Sequence, residues 1–281
     1  VGAALMCRLY GALTAVPRTH LPDLVESPKS LFAQSRADPK RPQKDGWGIG
    51  WYPSYPTMPE LVRSARPVFQ EPGRFREAAG QARAALIVAH VRYASNPMVL
   101  PRPQLIGEAN SQPFTFGRYV FAHNGTLNIP REVARSLGEW EVRIKGHNDS
   151  EVLFWLVMKG VQDAGGDLAE GLRQAVRHIG IVWDVLMPKP GPTPYTALNL
   201  ILADGERLAA LCLYEAKHAD ESQALCSPDR PYYEMCYRES PEGLRVASEP
   251  TDGSRNWRSL HNGRLLVAEP GHPAKISPFV P

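Results

Sequence analysis

The sequence predicts an α+β architecture in which two antiparallel sheets pack face to face and helices cover them from outside. Three observations lead there. Apolar runs of strand length occupy both ends of the chain, and two long amphipathic segments follow one another near its middle. The clearest neighbouring strands, Thr196 to Leu202 and Leu208 to Tyr214, are joined by an Asp204-Gly205 turn, which makes them an antiparallel hairpin. Each sheet has an apolar face that needs a cover, and helices placed between two strand groups supply it.

Taken in order, Leu9 to Leu13 reads as a first strand. Pro17, Pro22 and Pro28 then punctuate a helix-poor connection in which Leu24, Leu31 and Phe32 belong to short helices. Arg36 to Lys44 mixes charge with Pro39 and Pro42 and reads as an exposed loop. In Asp45-Gly46-Trp47-Gly48-Ile49-Gly50-Trp51-Tyr52, glycines alternate with large side chains, so a strand here carries its glycines on one face. That bare face suits either a ligand or the close approach of another layer, and both readings stay open. Glu60 to Val68 reads as a strand. Gly73 to Arg83 reads as a helix with Phe75, Ala78, Ala79 and Ala82 on its apolar side, and Ala85 to Val91 as a buried strand. Arg92 lies where that strand emerges, where its fork of donors suits a carboxylate; the alternative is a surface salt bridge.

Asn110 to Phe114 forms a polar turn before the strand Tyr119 to Ala122, which runs into His123-Asn124-Gly125-Thr126. Asn124-Gly125 reads either as a hairpin turn or as a pair of donors aimed at a developing oxyanion. Asn148 or Asp149 caps a helix containing the apolar run Val152 to Val157, and a second helix covers about Asp167 to Leu186. Pro188 to Pro194 reads as a loop within one domain, because neither half alone closes a core. Tyr232 to Tyr237, Leu244 to Ser248 and Arg264 to Ala268 complete the strands.

Composition narrows the function classes. A net charge of +3 over 281 residues, without a basic run interleaved with aromatics, argues against a nucleic-acid partner. No apolar run reaches the ~20 residues that span a bilayer, so no membrane role is expected and the cytoplasm is the default location. Cys7, Cys212, Cys226 and Cys236 form no CxxC pair and have no histidine at ligand spacing, which leaves neither a disulfide framework nor a zinc site.

Cys7 is the distinctive residue, because it follows Met6 directly. In a chain beginning at Cys7, a thiol with a pKa of roughly 8.5 sits beside an α-amine with a pKa of roughly 8. Nucleophile and base then belong to one residue. The alternative is a small buried hydrophobe leading into the first strand.

Cys7, Asp45 to Tyr52, His90 to Ser95, Gln112-Pro113-Phe114, His123-Asn124-Gly125 and Asp149-Ser150-Glu151, in this order, resemble the class II glutamine amidotransferase family of N-terminal-nucleophile hydrolases. Ser248-Glu249-Pro250 and Trp257 extend the resemblance over nearly the whole chain, and Met-Cys-Arg-Leu is similar to the start of the small stand-alone members. The resemblance implies a four-layer α/β/β/α sandwich, thiolate attack on the side-chain amide of glutamine, a γ-glutamyl thioester and release of ammonia, with no metal or other cofactor. It implies Cys7 as nucleophile and base, Asn124 and Gly125 as oxyanion hole, Arg92 for the substrate α-carboxylate, Asp149 for its α-ammonium and Ser95 as a further contact. His90 and His123 are strand-end residues on this reading, since the amine already supplies the base.

The partners implied are glutamine or another γ-glutamyl compound and a separate ammonia-accepting synthase. Small members resembling the ergothioneine-pathway hydrolase cleave a γ-glutamyl amide from a larger molecule, and they use the same residues. A non-catalytic γ-glutamyl-binding subunit is the third reading. It follows if residues 1–6 are retained, because an acylated α-nitrogen is no base. The expected organisation is one glutamine amidotransferase domain over residues 1–281, with 1–6 as an extension before the nucleophile. Lys44 departs from the pattern, since relatives often carry a small or polar residue there.

Overall fold

The computed structural model describes residues 7–54, 58–189, 191–216 and 231–281. The extension 1–6 and Cys226 lie outside the described residues. The strands are β1 (Arg8–Arg18), β2 (Trp47–Trp51), β3 (Glu60–Ser64), β4 (Ala84–Val91), β5 (Phe114–Phe116), β6 (Tyr119–Leu127), β7 (Tyr195–Ala203), β8 (Leu208–Cys212), β9 (Met235–Ser240), β10 (Gly243–Ala247), β11 (Arg258–Leu260), β12 (Arg264–Ala268) and β13 (Lys275–Pro278). The helices are α1 (Leu31–Gln34), α2 (Pro72–Gln81), α3 (Arg102–Leu105), α4 (Pro130–Ser136), α5 (Asp149–Asp163) and α6 (Leu168–Val185).

Seven strands form one sheet in the order β11-β9-β10-β1-β4-β2-β3, and six form the other in the order β13-β12-β8-β7-β6-β5. The paired strands in both are antiparallel. Three apolar clusters fill the spaces between layers. Leu9, Leu13, Leu86 and Val88 of the first sheet meet Val120, Ala122, Ile201 and Ala203 of the second in the centre. Tyr10, Ala12, Ile87 and Ala89 face outward under Leu24, Leu31 and the α2 residues Phe75, Ala78 and Ala79. Phe121, Leu200 and Leu202 face outward on the other side under α4, α5 and α6. The period of two along each strand therefore sorts consecutive residues into different spaces, and the four-layer order helix, sheet, sheet, helix is its result.

The glycine alternation in β2 serves this packing. A Cβ at Gly50 would lie 2.9 Å from Val120 Cγ1, and one at Gly48 would lie 2.4 Å from the Gln112 carbonyl oxygen. The bare face of β2 thus receives the second sheet, and of the two readings of that stretch close packing is the one realised. The two long helices approach just as closely, since a Cβ on Gly160 of α5 would lie 2.5 Å from the Gly171 carbonyl oxygen of α6. Asn148 caps α5 by accepting the Glu151 N–H at 2.8 Å, and Asp167 caps α6 by accepting from Ala169 and Glu170.

Several boundaries differ from the sequence reading. β1 continues to Arg18, and β3 stops at Ser64, with Val68 opening a 3-10 turn. The loop 36–44 is not exposed throughout, because Gln43 is buried and its N–H donates to the Ser35 carbonyl at 2.8 Å. Asn124-Gly125 makes no hairpin turn. Both residues lie inside β6, paired with Asn199 and Leu198 of β7. α4 and the 3-10 turn Gly138–Arg143 had no counterpart in the sequence reading.

Candidate active site

Antiparallel pairing decides what meets at one end of the first sheet. β1 runs against β4, so Arg8 at its start faces Val91 at the end of β4. β2 also runs against β4, so Trp47 at its start faces the same Val91. Cys7 before β1, Asp45 before β2 and Arg92 after β4 are gathered by that register alone. β10 lies on the other flank of β1 with Ala247 opposite Tyr10, which brings Ser248 and Glu249 alongside Leu9 and Arg8.

Cys7 is buried, and its Sγ is held by the backbone of Tyr93, donating to the carbonyl at 3.2 Å and accepting the N–H at 3.3 Å. Burial pushes its thiol up to about 11, against the smaller opposing effects of the Tyr93 hydrogen bond and the Arg92 charge. With Met6 attached, Cys7 is therefore a thiol at neutral pH and needs a base to become a nucleophile.

Arg92 is buried, and its Nη1 donates to the carbonyls of Asp45 at 3.2 Å and Leu105 at 2.8 Å. Burial lowers its pKa, while Cys7, Asp45 and Asp149 act in the opposite direction. The surface salt bridge offered as an alternative is not its fate. Asp45 is fully buried, accepting the Ala94 N–H on Oδ2 at 2.8 Å and pairing through Oδ1 with Arg102 Nη2 at 2.5 Å. It thereby fixes the loop that holds Cys7 Sγ.

The second sheet contributes from β6. Asn124 extends the inward row of Val120 and Ala122, so its side chain faces the first sheet. Its Nδ2 reaches Ser248 Oγ at 3.4 Å, and Ser248 Oγ also accepts the Leu9 N–H at 3.0 Å. Gly125 has φ +155, and a Cβ there would fall 1.9 Å from the Ala197 carbonyl oxygen, so this position takes glycine alone. Asp149, at the start of α5, is buried. It accepts the Ser95 hydroxyl on Oδ1 at 2.9 Å and the Leu127 N–H on Oδ2 at 2.8 Å, which ties α5 to both sheets.

Strand register thus brings Cys7 and Arg92 to one end of the first sheet, Ser95 bonds to Asp149, and Asn124, beside Gly125 in β6, reaches Leu9 through Ser248. His90 and His123 are fully inside the strands. Burial holds the His90 imidazole well below its usual range and lowers His123, whose ring lies between Ser150 Oγ at 3.0 Å and the Ala197 carbonyl at 3.1 Å. Asp45, Arg8, Ser248 and Glu249 entered the sequence reading only as parts of motifs. Their signal was weak, since a serine after a strand and an aspartate before a glycine have common local uses. Among the described residues, no group of three or more His, Cys, Asp and Glu side chains is arranged to hold a metal ion, and no helix is long and apolar enough to cross a membrane.

Comparison with known proteins identifies the family and the fold. The sequence profile described as glutamine amidotransferases class-II matches residues 6–279. The gamma-glutamyl-hercynylcysteine sulfoxide hydrolase of Mycolicibacterium smegmatis is 27% identical over 274 residues, covering 95% of this chain and 97% of that protein. YafJ of Escherichia coli is 26% identical over 272 residues, covering 92% and 95% respectively. Among solved structures, a glutamine aminotransferase class-II domain protein from Silicibacter pomeroyi superposes with a TM-score of 0.66 at 25% identity, covering 98% of this chain and 100% of its own. The glutamine phosphoribosylpyrophosphate amidotransferase of B. subtilis shares the fold, with a TM-score of 0.64 at 15% identity over 98% of this chain and 49% of that one. With its match spanning nearly every residue, this chain belongs to the class II glutamine amidotransferases.

Proposed function

We propose that this chain hydrolyses a γ-glutamyl amide, with Cys7 acting as an N-terminal nucleophile once Met6 and any residues before it have been removed. The observation that carries the reading is the setting of Cys7 Sγ on the Tyr93 backbone, with Arg92 and Asp149 both close enough to influence its charge. A zwitterionic glutamyl head group needs one fixed cation and one fixed anion to bring its side-chain carbonyl onto the sulfur. Arg92 takes the α-carboxylate, and Asp149, oriented by Ser95, takes the α-ammonium.

The free α-amine of Cys7 accepts the thiol proton as sulfur attacks the amide carbon. The oxygen gains the electron pair and is stabilised by Asn124 Nδ2 and the Gly125 N–H. As the tetrahedral centre collapses, the protonated amine delivers its proton to the departing nitrogen, and a γ-glutamyl thioester remains on Cys7. Water, deprotonated by the same amine, then attacks the thioester. Glutamate leaves, and the thiol is restored.

The leaving group is ammonia from glutamine or a larger amine. Ammonia would serve a separate acceptor enzyme, whereas similarity to the mycobacterial gamma-glutamyl-hercynylcysteine sulfoxide hydrolases favours the larger amine. The whole chain is read as one catalytic domain working in the cytoplasm.

The test compares protein beginning at Cys7 with protein carrying Val1 to Met6, both supplied with L-glutamine and with γ-glutamylalanine, with glutamate followed by mass spectrometry. Release by the shorter form alone is the expected result. Equal turnover by both forms would remove the terminal amine from the mechanism. Silence from the shorter form, together with tight binding of a γ-glutamyl ligand, would make the protein a binding subunit instead.

A further inference from the structure

We propose that Ser248 and the Glu249–Arg8 pair form a positioning unit that sets the nucleophile and the oxyanion donor in register across the two sheets. The inference rests on the roles given above to Cys7 and Asn124. Neither Ser248 nor Glu249 is placed against substrate. Both act through what they hold.

Ser248 joins two structures that nothing in their own strands obliges to align. Its N–H donates to the Leu9 carbonyl at 3.1 Å and its Oγ accepts the Leu9 N–H at 3.0 Å, which locks the backbone two residues after Cys7. The same Oγ receives Asn124 Nδ2 at 3.4 Å from the opposite sheet. A side-chain amide has two Nδ2 protons. With one turned toward Ser248, the rotation of the amide is set and the second is directed away from Ser248. Asn124 Oδ1 is buried and has no hydrogen-bond partner among the described residues, so Ser248 is the contact that orients this amide.

Glu249 works on the other side of the nucleophile. Its Oε1 lies 3.0 Å from Arg8 Nη2, with both side chains essentially removed from solvent, and Arg8 Nη1 donates to the Cys7 carbonyl at 3.2 Å. A buried ion pair seldom stabilises more than an apolar pair of the same volume, because both charges lose their hydration. Fold stability is therefore a poor account of it. Its distinctive product is a fixed peptide immediately after Cys7, which constrains where the sulfur and the α-nitrogen point. An error of ~1 Å in such placement costs about 10²-fold in rate.

The experiment uses protein beginning at Cys7, with L-glutamine or γ-glutamylalanine, whichever the wild type turns over. Ser248→Ala is expected to lower kcat roughly 10- to 100-fold with KM within about threefold, and Ser248→Thr, which keeps the hydroxyl, should recover most of it. In an Asn124→Ala background, the further loss from Ser248→Ala should shrink several-fold, because part of its effect runs through Asn124. Removing Glu249 alone would orphan a buried charge and threaten folding. Arg8→Met with Glu249→Leu avoids this, and it should melt cooperatively while kcat falls about 10-fold or more. Unchanged kcat in Ser248→Ala and in the double variant, or losses at Ser248 and Asn124 that multiply in full, would overturn the proposal. Alkylation of wild-type Cys7 by the glutamine analogue 6-diazo-5-oxonorleucine keeps this result separate from the parent reading. If the wild type is neither labelled nor active, the assignment of Cys7 fails, and with it the unit built around it.

Discussion

Cys7 combines a buried sulfur with a proposed task that needs a thiolate, and the conflict makes its chemistry testable. While Met6 is attached, burial pushes the thiol up to about 11, so alkylation by iodoacetamide should accelerate about tenfold per pH unit between pH 7 and 10. A rate independent of pH over that range would show that burial does not control the sulfur. In protein beginning at Cys7, Cys7→Ala should abolish hydrolysis and lower the melting temperature only slightly, since the sulfur and its two hydrogen bonds to the Tyr93 backbone are all that is lost. A second residue sets an acid limit on stability. His20, wedged between the Tyr10 hydroxyl and the Ala84 carbonyl, is lowered by burial from 6.5 to about 4. Between those values the unfolded chain binds the proton and the folded chain does not. Its contribution is therefore complete above pH 6.5 and falls by up to about 1.4 kcal/mol per unit as the pH drops toward 4, below which it levels off. Denaturation at a series of pH values should show a shallower slope for His20→Gln, and parallel slopes would count against the assignment. Cys7 was legible in the sequence because its place after a methionine is chemically unusual. Ser248 and Asp45 were not, because their partners lie 124 and 49 residues away and only strand register brings them near.

Among the elements, those with long apolar runs were readable: β4 and α6 lie within a residue or two of where period and caps put them, and α5 begins at the expected cap. α4 was missed because seven residues give too few turns for a period, and Pro130 at its start serves equally well as a loop signal. Asn124-Gly125 showed the opposite difficulty. A dipeptide that usually turns the chain is carried straight through a strand, because Gly125 allows Ala197 to approach where a side chain would stand. Gly125→Ala should therefore force β6 from β7 and destabilise the fold by about 3 kcal/mol or more, read as a lower denaturant midpoint together with lost activity. Normal stability in that variant would mean that β7 can shift aside. The α5–α6 crossing makes a milder prediction. Gly160→Ala places a methyl against the Gly171 carbonyl and should cost about 1–3 kcal/mol. Because Asp149 sits at the far end of α5, kcat per folded molecule should stay within about twofold.

Across the whole molecule, the site belongs to no single layer. The first sheet brings Cys7, Asp45 and Arg92 to one end, the second sheet brings Asn124 and Gly125, and α5 brings Asp149, which binds the Leu127 N–H of β6 and the Ser95 hydroxyl beyond β4. A γ-glutamyl ligand bridging Arg92 and Asp149, as proposed, would then act on both sheets at once. In a Cys7→Ala protein, where turnover is blocked, saturating L-glutamine at ~100 times its dissociation constant should raise unfolding free energy by about 2.7 kcal/mol. Hydrogen exchange should slow together at Tyr93 to Ser95, at Leu127 and at Leu9, although these amides lie in different strands and loops. Slowing confined to the loop after β4, with β6 and the start of β1 unaffected, would mean that the ligand touches Arg92 alone. The shared site would then dissolve into a carboxylate pocket beside an unrelated cysteine.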